Sequence, residues 1–309
     1  MWFKSAQIFQ LSKVSYDGMQ MAEALSDFAF SPCLASLPSS YGWVSPFELE
    51  GAPLVHSANG YLLFCLQFED KILPASVVKQ ELNEKLINLS QQYGRKISKK
   101  ERLSIKDEVT QSLLIRAFSK RTRLYAYIDT KKNYLVLDTT SGTKTQKFIE
   151  LLSRSIEGLE LTPIETKKMP FLLTAWVKNQ DTPKTINIEK SCVLRDPEQQ
   201  HRVIRCQQQE LSAEGVLSLI DDGCEVIQLA CNWQDRVQFK LQDPFMLSGL
   251  RFGDELLAAS KELGVESDQQ RLDADFYIMT ETLEGLFHDL LSEIETKAAI
   301  PAKEVLIFS

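Results

Sequence analysis

The sequence predicts an α+β fold, mixing helices with antiparallel hairpins, and three observations lead there. Apolar residues recur along the whole chain in two rhythms, one of helical and one of strand spacing. Strand-like runs come in pairs separated by short polar turns. No alternating strand–helix series appears of the kind that builds a parallel sheet. The 309 residues suffice for two or three compact units, with the 44% hydrophobic and 25% charged content of an ordinary globular protein.

Phe3 to Leu11 has strand character, and Asp17 to Phe28 reads as a short helix with Met21, Leu25 and Phe28 on one face. Pro32, Pro38, Pro46 and Pro53 make the next stretch irregular. Tyr61 to Phe68 is a continuous apolar run of the buried-strand type. A helix follows, with Pro74 in its first turn, Val78, Leu82, Leu86, Leu89 and Tyr93 as its stripe, and Gly94 as its stop. A second helix starts near Ser98, where Ser98 and Glu101 have capping-box spacing, and it buries Ile105, Val109, Leu113 and Ala117. Leu124–Asp129 and Tyr134–Asp138 pair around a Lys131-Lys132-Asn133 turn, and a helix runs from Thr143 to Glu157, ended by Gly158.

The second half repeats this style. Val203–Cys206 is a strand, the stretch from Ser212 to Asp222 a helix stopped by Gly223, and Val226–Trp233 with Val237–Leu241 a hairpin. A final helix runs from about Glu281 to Lys297, with Leu283, Leu286, Phe287, Leu290, Leu291 and Ile294 as its stripe. Residues 158–183, with Pro163, Pro170 and Pro183, are the best place for a linker. The expected division is an N-terminal α+β region, 1–160, carrying a basic segment, and a C-terminal α+β region, 161–309, with an acidic surface and the final helix.

The net charge is −7, yet it is unevenly spread. From Arg95 to Arg123 ten basic residues face three acidic ones, a local +7 that leaves −14 for the rest. Such polarisation lets one face attract a polyanion while the whole stays soluble. No apolar run reaches the length of a membrane span, and Met1-Trp2-Phe3-Lys4 lacks a signal-peptide pattern, so the expected location is the cytoplasm.

The six cysteines and three histidines show no zinc spacing, and the cysteines read as packed thiols. P-loop, dinucleotide-binding, nucleophile-elbow and zinc-protease motifs are absent. Two weak acidic patterns remain. Asp273-Ala-Asp275 is the tightest carboxylate pair, and Glu165-Thr-Lys167 has the spacing found in some metal-dependent nucleases. Neither suffices for catalysis, so the expectation is a protein that is not an enzyme and holds no cofactor or metal.

A colinear series of phrases resembles the recombination-associated RdgC family. It includes Met1-Trp-Phe-Lys4, Phe30-Ser-Pro-Cys33, Gly42-Trp-Val44, His56-Ser-Ala-Asn-Gly60 and Lys71-Ile-Leu-Pro74. It continues through Lys106-Asp-Glu-Val109, the stretch Ser112–Phe118, Ile128-Asp-Thr130 and Leu173-Thr-Ala-Trp-Val177. The stretch Trp233–Phe239, Phe252-Gly-Asp-Glu-Leu256 and Asp273-Ala-Asp-Phe276 complete it.

The resemblance implies an elongated subunit that closes a ring-shaped homodimer around a positively lined hole. It implies binding to double-stranded DNA with little sequence preference, association with the nucleoid and antagonism towards loading of the recombinase RecA. Two departures from the family pattern stand out: Ile115 where a proline is expected, and Cys206-Gln207 where a basic pair is expected.

The expected DNA contacts are Lys99, Lys100, Arg116, Lys120, Arg121, Arg123, Arg205 and Gln207. From charge alone, the stretch Arg116–Arg123 reads equally as a solvated turn. The expected subunit contacts are Phe118, Leu286 and Leu290, although the final helix could as well pack within its own chain. A metal-dependent nuclease acting on DNA and a scaffold that binds only protein are the competing classes.

Overall fold

In the computed structural model, residues 1–12, 16–47, 51–164, 169–199, 201–262 and 268–298 are described. The chain begins with strand β1 (Ser5–Leu11), helix α1 (Gly18–Ser26) and strands β2 (Ser39–Val44), β3 (Val55–Ala58) and β4 (Tyr61–Lys71). Helices α2 (Ala75–Tyr93) and α3 (Lys99–Leu114) lead into β5 (Ser119–Asp129), β6 (Tyr134–Leu137), α4 (Gly142–Ser155) and β7 (Leu161–Pro163). Then come α5 (Met169–Asn179), β8 (Ile186–Arg195), β9 (Val203–Gln207), α6 (Glu214–Asp221), β10 (Glu225–Trp233), β11 (Val237–Gln242) and β12 (Met246–Phe252). Helices α7 (Asp254–Glu262) and α8 (Asp268–Ala298) finish the described chain.

All twelve strands join one antiparallel sheet, in the order β2-β4-β5-β6-β1-β12-β11-β10-β8-β9, with β3 on β4 and β7 on β1. The sheet crosses the expected 160/161 division without a break, because β1 pairs with both β6 and β12. What changes along it is the covered face. Around β2, β4 and β5, alternate residues such as Trp43, Phe64, Leu66 and Leu124 pack against Met21 and Leu25 of α1 and Phe148 and Leu152 of α4. Around β8 to β12 the opposite face is covered, by α5, α6 and α8, with Trp176, Val216, Leu283 and Leu286 at its centre. Since successive side chains on a strand point to opposite faces, each half leaves a different face less covered.

The predicted caps are found. Ser98 accepts the Glu101 N–H and the Glu101 carboxylate accepts the Ser98 N–H, and Gly94 closes α2 at φ 61°. Asp17 and Gln20 form a second capping box at α1. Helices α2 and α3 form a hairpin inserted between β4 and β5. Their mutual packing buries Val78, Leu82, Val109 and Leu114, while Tyr93 is left 54% exposed. Ala117 falls beyond the helix it was expected to line.

Three expectations are corrected. The proposed linker contains α5, whose Met169, Leu172, Leu173, Trp176 and Val177 are all buried; Pro170 sits in its first turn, where a missing N–H is tolerated. The irregular proline-rich stretch holds β2 between Pro38 and Pro46. Gly42 of that strand lies so close to the backbone of Phe30 that a Cβ there would come within 2.5 Å of the Phe30 Cα, which lets the chain at Ala29 bridge to Trp43. The final helix starts at Asp268, not near Glu281, and its 31 residues span about 46 Å.

Candidate nucleic-acid interface

The basic segment is a turn only at its start, where Arg116 follows α3; Ser119 to Arg123 lie in β5. Strands β4 and β5 pair over eleven residues, from Tyr61 opposite Asp129 to Lys71 opposite Ser119. Alternation therefore divides the cations: Lys120 shares a face with Thr122, and Arg121 shares the other with Arg123. Arg121 lies opposite Glu69 and donates from Nε to its Oε2 at 3.2 Å, and its guanidinium sits 5.5 Å from the Phe30 ring centre. Glu69 is buried; the Ser119 hydroxyl, the Cys33 N–H and Arg121 together hold its carboxyl below the usual range against the opposing effect of burial. Arg123 is half-buried beside Cys65, whose thiol burial pushes up to about 12. Arg121 and Arg123 are thus tied to the sheet, although Arg121 is exposed, as are Arg116 and Lys120.

Lys99 and Lys100 are also exposed, but they open α3 while Arg116 follows its end. Sixteen helical residues place them about 24 Å away along the axis. Helix α4 carries a row that the sequence reading missed. Lys144 lies 5.2 Å from the Phe68 ring and donates to the Thr122 hydroxyl, Lys147 lies 5.3 Å from Tyr41, and Arg154 lies 5.1 Å from Phe28. With Arg121, and with Arg95 over Tyr93 at 5.7 Å, five described cations of this half lie on aromatic faces.

Arg205 and Gln207 belong to the other half. In β9 they point outward and Cys206 points inward, opposite Cys192 across the β8–β9 ladder. The open face continues through Gln238 and Lys240 on β11 and Arg251 on β12, all exposed. A shallow depression of about 430 Å³ there is lined by Lys190, Gln207, Gln238, Lys240 and Arg251, with Glu189 the one carboxylate. Lys190 is engaged by Glu210 at 2.6 Å. The alternation in Val237-Gln-Phe-Lys-Leu-Gln242 was the available signal for Gln238 and Lys240; it was used for the strand and not for its outward side. Strand β9 lies seven strand steps from β5, about 34 Å, so the expected contacts form two separate groups.

The expected subunit contacts divide as well. Phe118 is 84% exposed, whereas Leu286 and Leu290 are buried in the chain's own core and cannot meet a partner. They lie on the inward stripe of α8, beneath the sheet. The two acidic patterns also separate. Asp273 pairs with His56 at 2.6 Å, while Asp275 accepts from the N-terminal ammonium and the Ser260 hydroxyl. Glu165 and Lys167 lie outside the described residues. Among the described residues no three histidine, cysteine or carboxylate side chains gather as a metal site, and no helix is long and apolar enough to cross a membrane.

This is an α+β protein whose single antiparallel sheet displays cations and amides at two distant places. The family model described as "Putative exonuclease, RdgC" matches residues 1–297. Proteins named "Recombination-associated protein RdgC" are similar along nearly their whole length. That of Yersinia enterocolitica is 35% identical over 300 residues, covering 96% of this chain and 99% of the relative. Those of Yersinia pestis and Yersinia pseudotuberculosis are 34% identical with the same coverage. The chain belongs to the RdgC family of recombination-associated proteins.

Proposed function

We propose that this chain binds double-stranded DNA without sequence preference, as a ring-shaped homodimer associated with the nucleoid, and restrains RecA loading by occupying DNA. The observation that carries the reading is the open sheet face of the second half. Arg205, Lys240 and Arg251 stand among Gln207 and Gln238 on a solvent-facing sheet surface. An open sheet face of this kind suits phosphate contacts; base readout requires an element that enters a groove. Arg116 and Lys120 supply a second group of phosphate donors. Amides hydrogen-bond phosphates without releasing counterions, so Gln207 adds position and little salt dependence.

The homodimer draws support from apolar surface. Ile72, Val77, Ile87, Leu103, Ile115 and Phe118 are all more than two-fifths exposed, and all lie on or beside the α2–α3 hairpin. Large apolar groups grouped at one projection are typical of an association surface. Light scattering on a sizing column should report a dimer for the wild type and monomer for Phe118→Ser at low micromolar concentration. A wild-type monomer at every concentration contradicts the ring.

A nuclease is the second reading, favoured by the wording of the matching family model. One titration separates the two: duplex DNA against protein at several salt concentrations, with and without Mg²⁺. The DNA-binding reading expects steep salt dependence and intact DNA. Mg²⁺-dependent cleavage that disappears in Glu165→Ala establishes the nuclease.

A further inference from the structure

A cavity of about 220 Å³ lies between α8 and the β4–β5–β6 part of the sheet, away from both cationic groups. Its walls are aromatic and acidic: Tyr61, Tyr127 and Tyr134 from the sheet, Phe287 from α8, and the carboxylates of Asp129 and Glu284. Tyr127 is 2% exposed and lines the cavity. Asp129 is buried too. Its Oδ1 accepts the N–H groups of Lys131 and Lys132 at 2.9 and 3.0 Å, and no hydrogen bond among the described residues reaches its Oδ2. Glu284 is occupied, accepting from the Tyr61 hydroxyl and from the Lys132 ammonium, each at 2.7 Å.

We propose that this cavity is a binding site for a small alkylammonium ion, held by the Asp129 carboxylate and the Tyr127 hydroxyl, with its carbon stem against the tyrosine rings and Phe287. The charged groups facing the space are Asp129, Glu284 and Glu295 against Lys132, with the His288 imidazole beside them. An anion would meet uncompensated carboxylates. A neutral ligand would leave the buried Asp129 without a counter-charge. A bare divalent ion is poorly served, since the described side chains supply no cluster of three ligating groups. Aromatic faces beside a desolvated carboxylate suit an organic cation, through both charge and ring quadrupole. Burial, and after it the nearby carboxylates, push the Tyr61 and Tyr127 hydroxyls far above their ordinary range. The volume is below that of drug-sized pockets, so the ligand has few heavy atoms. Once bound it joins α8 to the β5–β6 hairpin.

The test is a calorimetric titration of the full chain with n-butylamine, with 1-butanol and butyrate as controls, in the absence of DNA. The wild type should bind butylamine saturably at one site per chain and bind neither control. Asp129→Asn keeps an oxygen for the Lys131 and Lys132 N–H groups, so the turn persists, and should weaken binding about tenfold or more. Tyr127→Phe keeps the ring and should weaken it several-fold. Lys132→Met removes the resident ammonium and should tighten it. No saturable binding by the wild type, equal binding of 1-butanol, or unchanged affinity in folded Asp129→Asn and Tyr127→Phe overturns the proposal. Should Asp129→Asn fail to fold, Tyr127→Phe decides alone.

Discussion

The two halves of the sheet hold their positive charge in opposite ways. In the first half, cations are dense in the sequence and several are engaged, Arg121 by Glu69 and Phe30, Lys144 by Thr122 and Phe68, Lys147 by Tyr41, Arg154 by Phe28, while Arg116 and Lys120 stay exposed. In the second half Lys190 is held by Glu210, but Arg205, Lys240 and Arg251 are presented outward on a face that no described helix covers. Charge density along a sequence therefore measures how many cations a region has and not how many are available to a ligand. A guanidinium over a ring and beside a buried carboxylate has a structural role to lose before it can serve a phosphate.

The two halves share one core, and substitution there has the largest expected effect. Helix α8 packs Leu286 beneath the second half and meets Tyr61 and Tyr127 of the first through Phe276. Leu286→Ala should cost about 3 kcal/mol and lower the melting temperature of a single unfolding transition. Two separated transitions in calorimetry would mean that the halves are independent. The proposed dimer should persist in the folded variant, since this leucine faces inward.

Next in size is Arg121→Glu, which sets a new carboxylate beside buried Glu69. Even with the arginine half open to solvent, the loss of stability should be about twice that of Lys120→Glu on the other face, or more. Denaturant melts of the two variants sharpen the contrast between engaged and presented cations. Equal stabilities would show that the Arg121–Glu69 pair does not matter to the fold. The smallest effect is that of Ser98→Ala at the capping box, about 1 kcal/mol, read by the same melts. It is confined to the α2–α3 hairpin, so duplex affinity should change little unless Lys99 and Lys100 depend on an ordered helix start.

Much of this fold is legible in the sequence where local chemistry decides it. Gly94, Ser98 with Glu101, and the hairpin about Val226–Leu241 all carry their own signals, respectively a left-handed C-terminal residue, a reciprocal cap and strict alternation. Illegible elements are those that tertiary packing decides. Strand β8 pairs with β10 through two register irregularities, which break its period-two pattern. Helix α5 is apolar along most of its length, so it shows no broad polar face to mark a helix, and Pro170 reads as a breaker. At the candidate interface, Arg205 and Gln207 were legible from the resemblance and Lys240 from alternation. The pairing of Arg121 with Glu69, fifty-two positions apart, was not, because only the β4–β5 register brings them together.

The most direct test of the proposed function is the salt dependence of duplex binding for Arg205→Glu with Lys240→Glu, beside the wild type. Each phosphate that is no longer neutralised takes about 0.9 off the slope of log K against log salt, so the double variant should be shallower by about 1.8 and weaker on every duplex sequence alike. Its melting temperature should stay near that of the wild type, because both side chains are exposed. An unchanged affinity and slope in the folded double variant, or a weakening confined to particular sequences, would contradict the account.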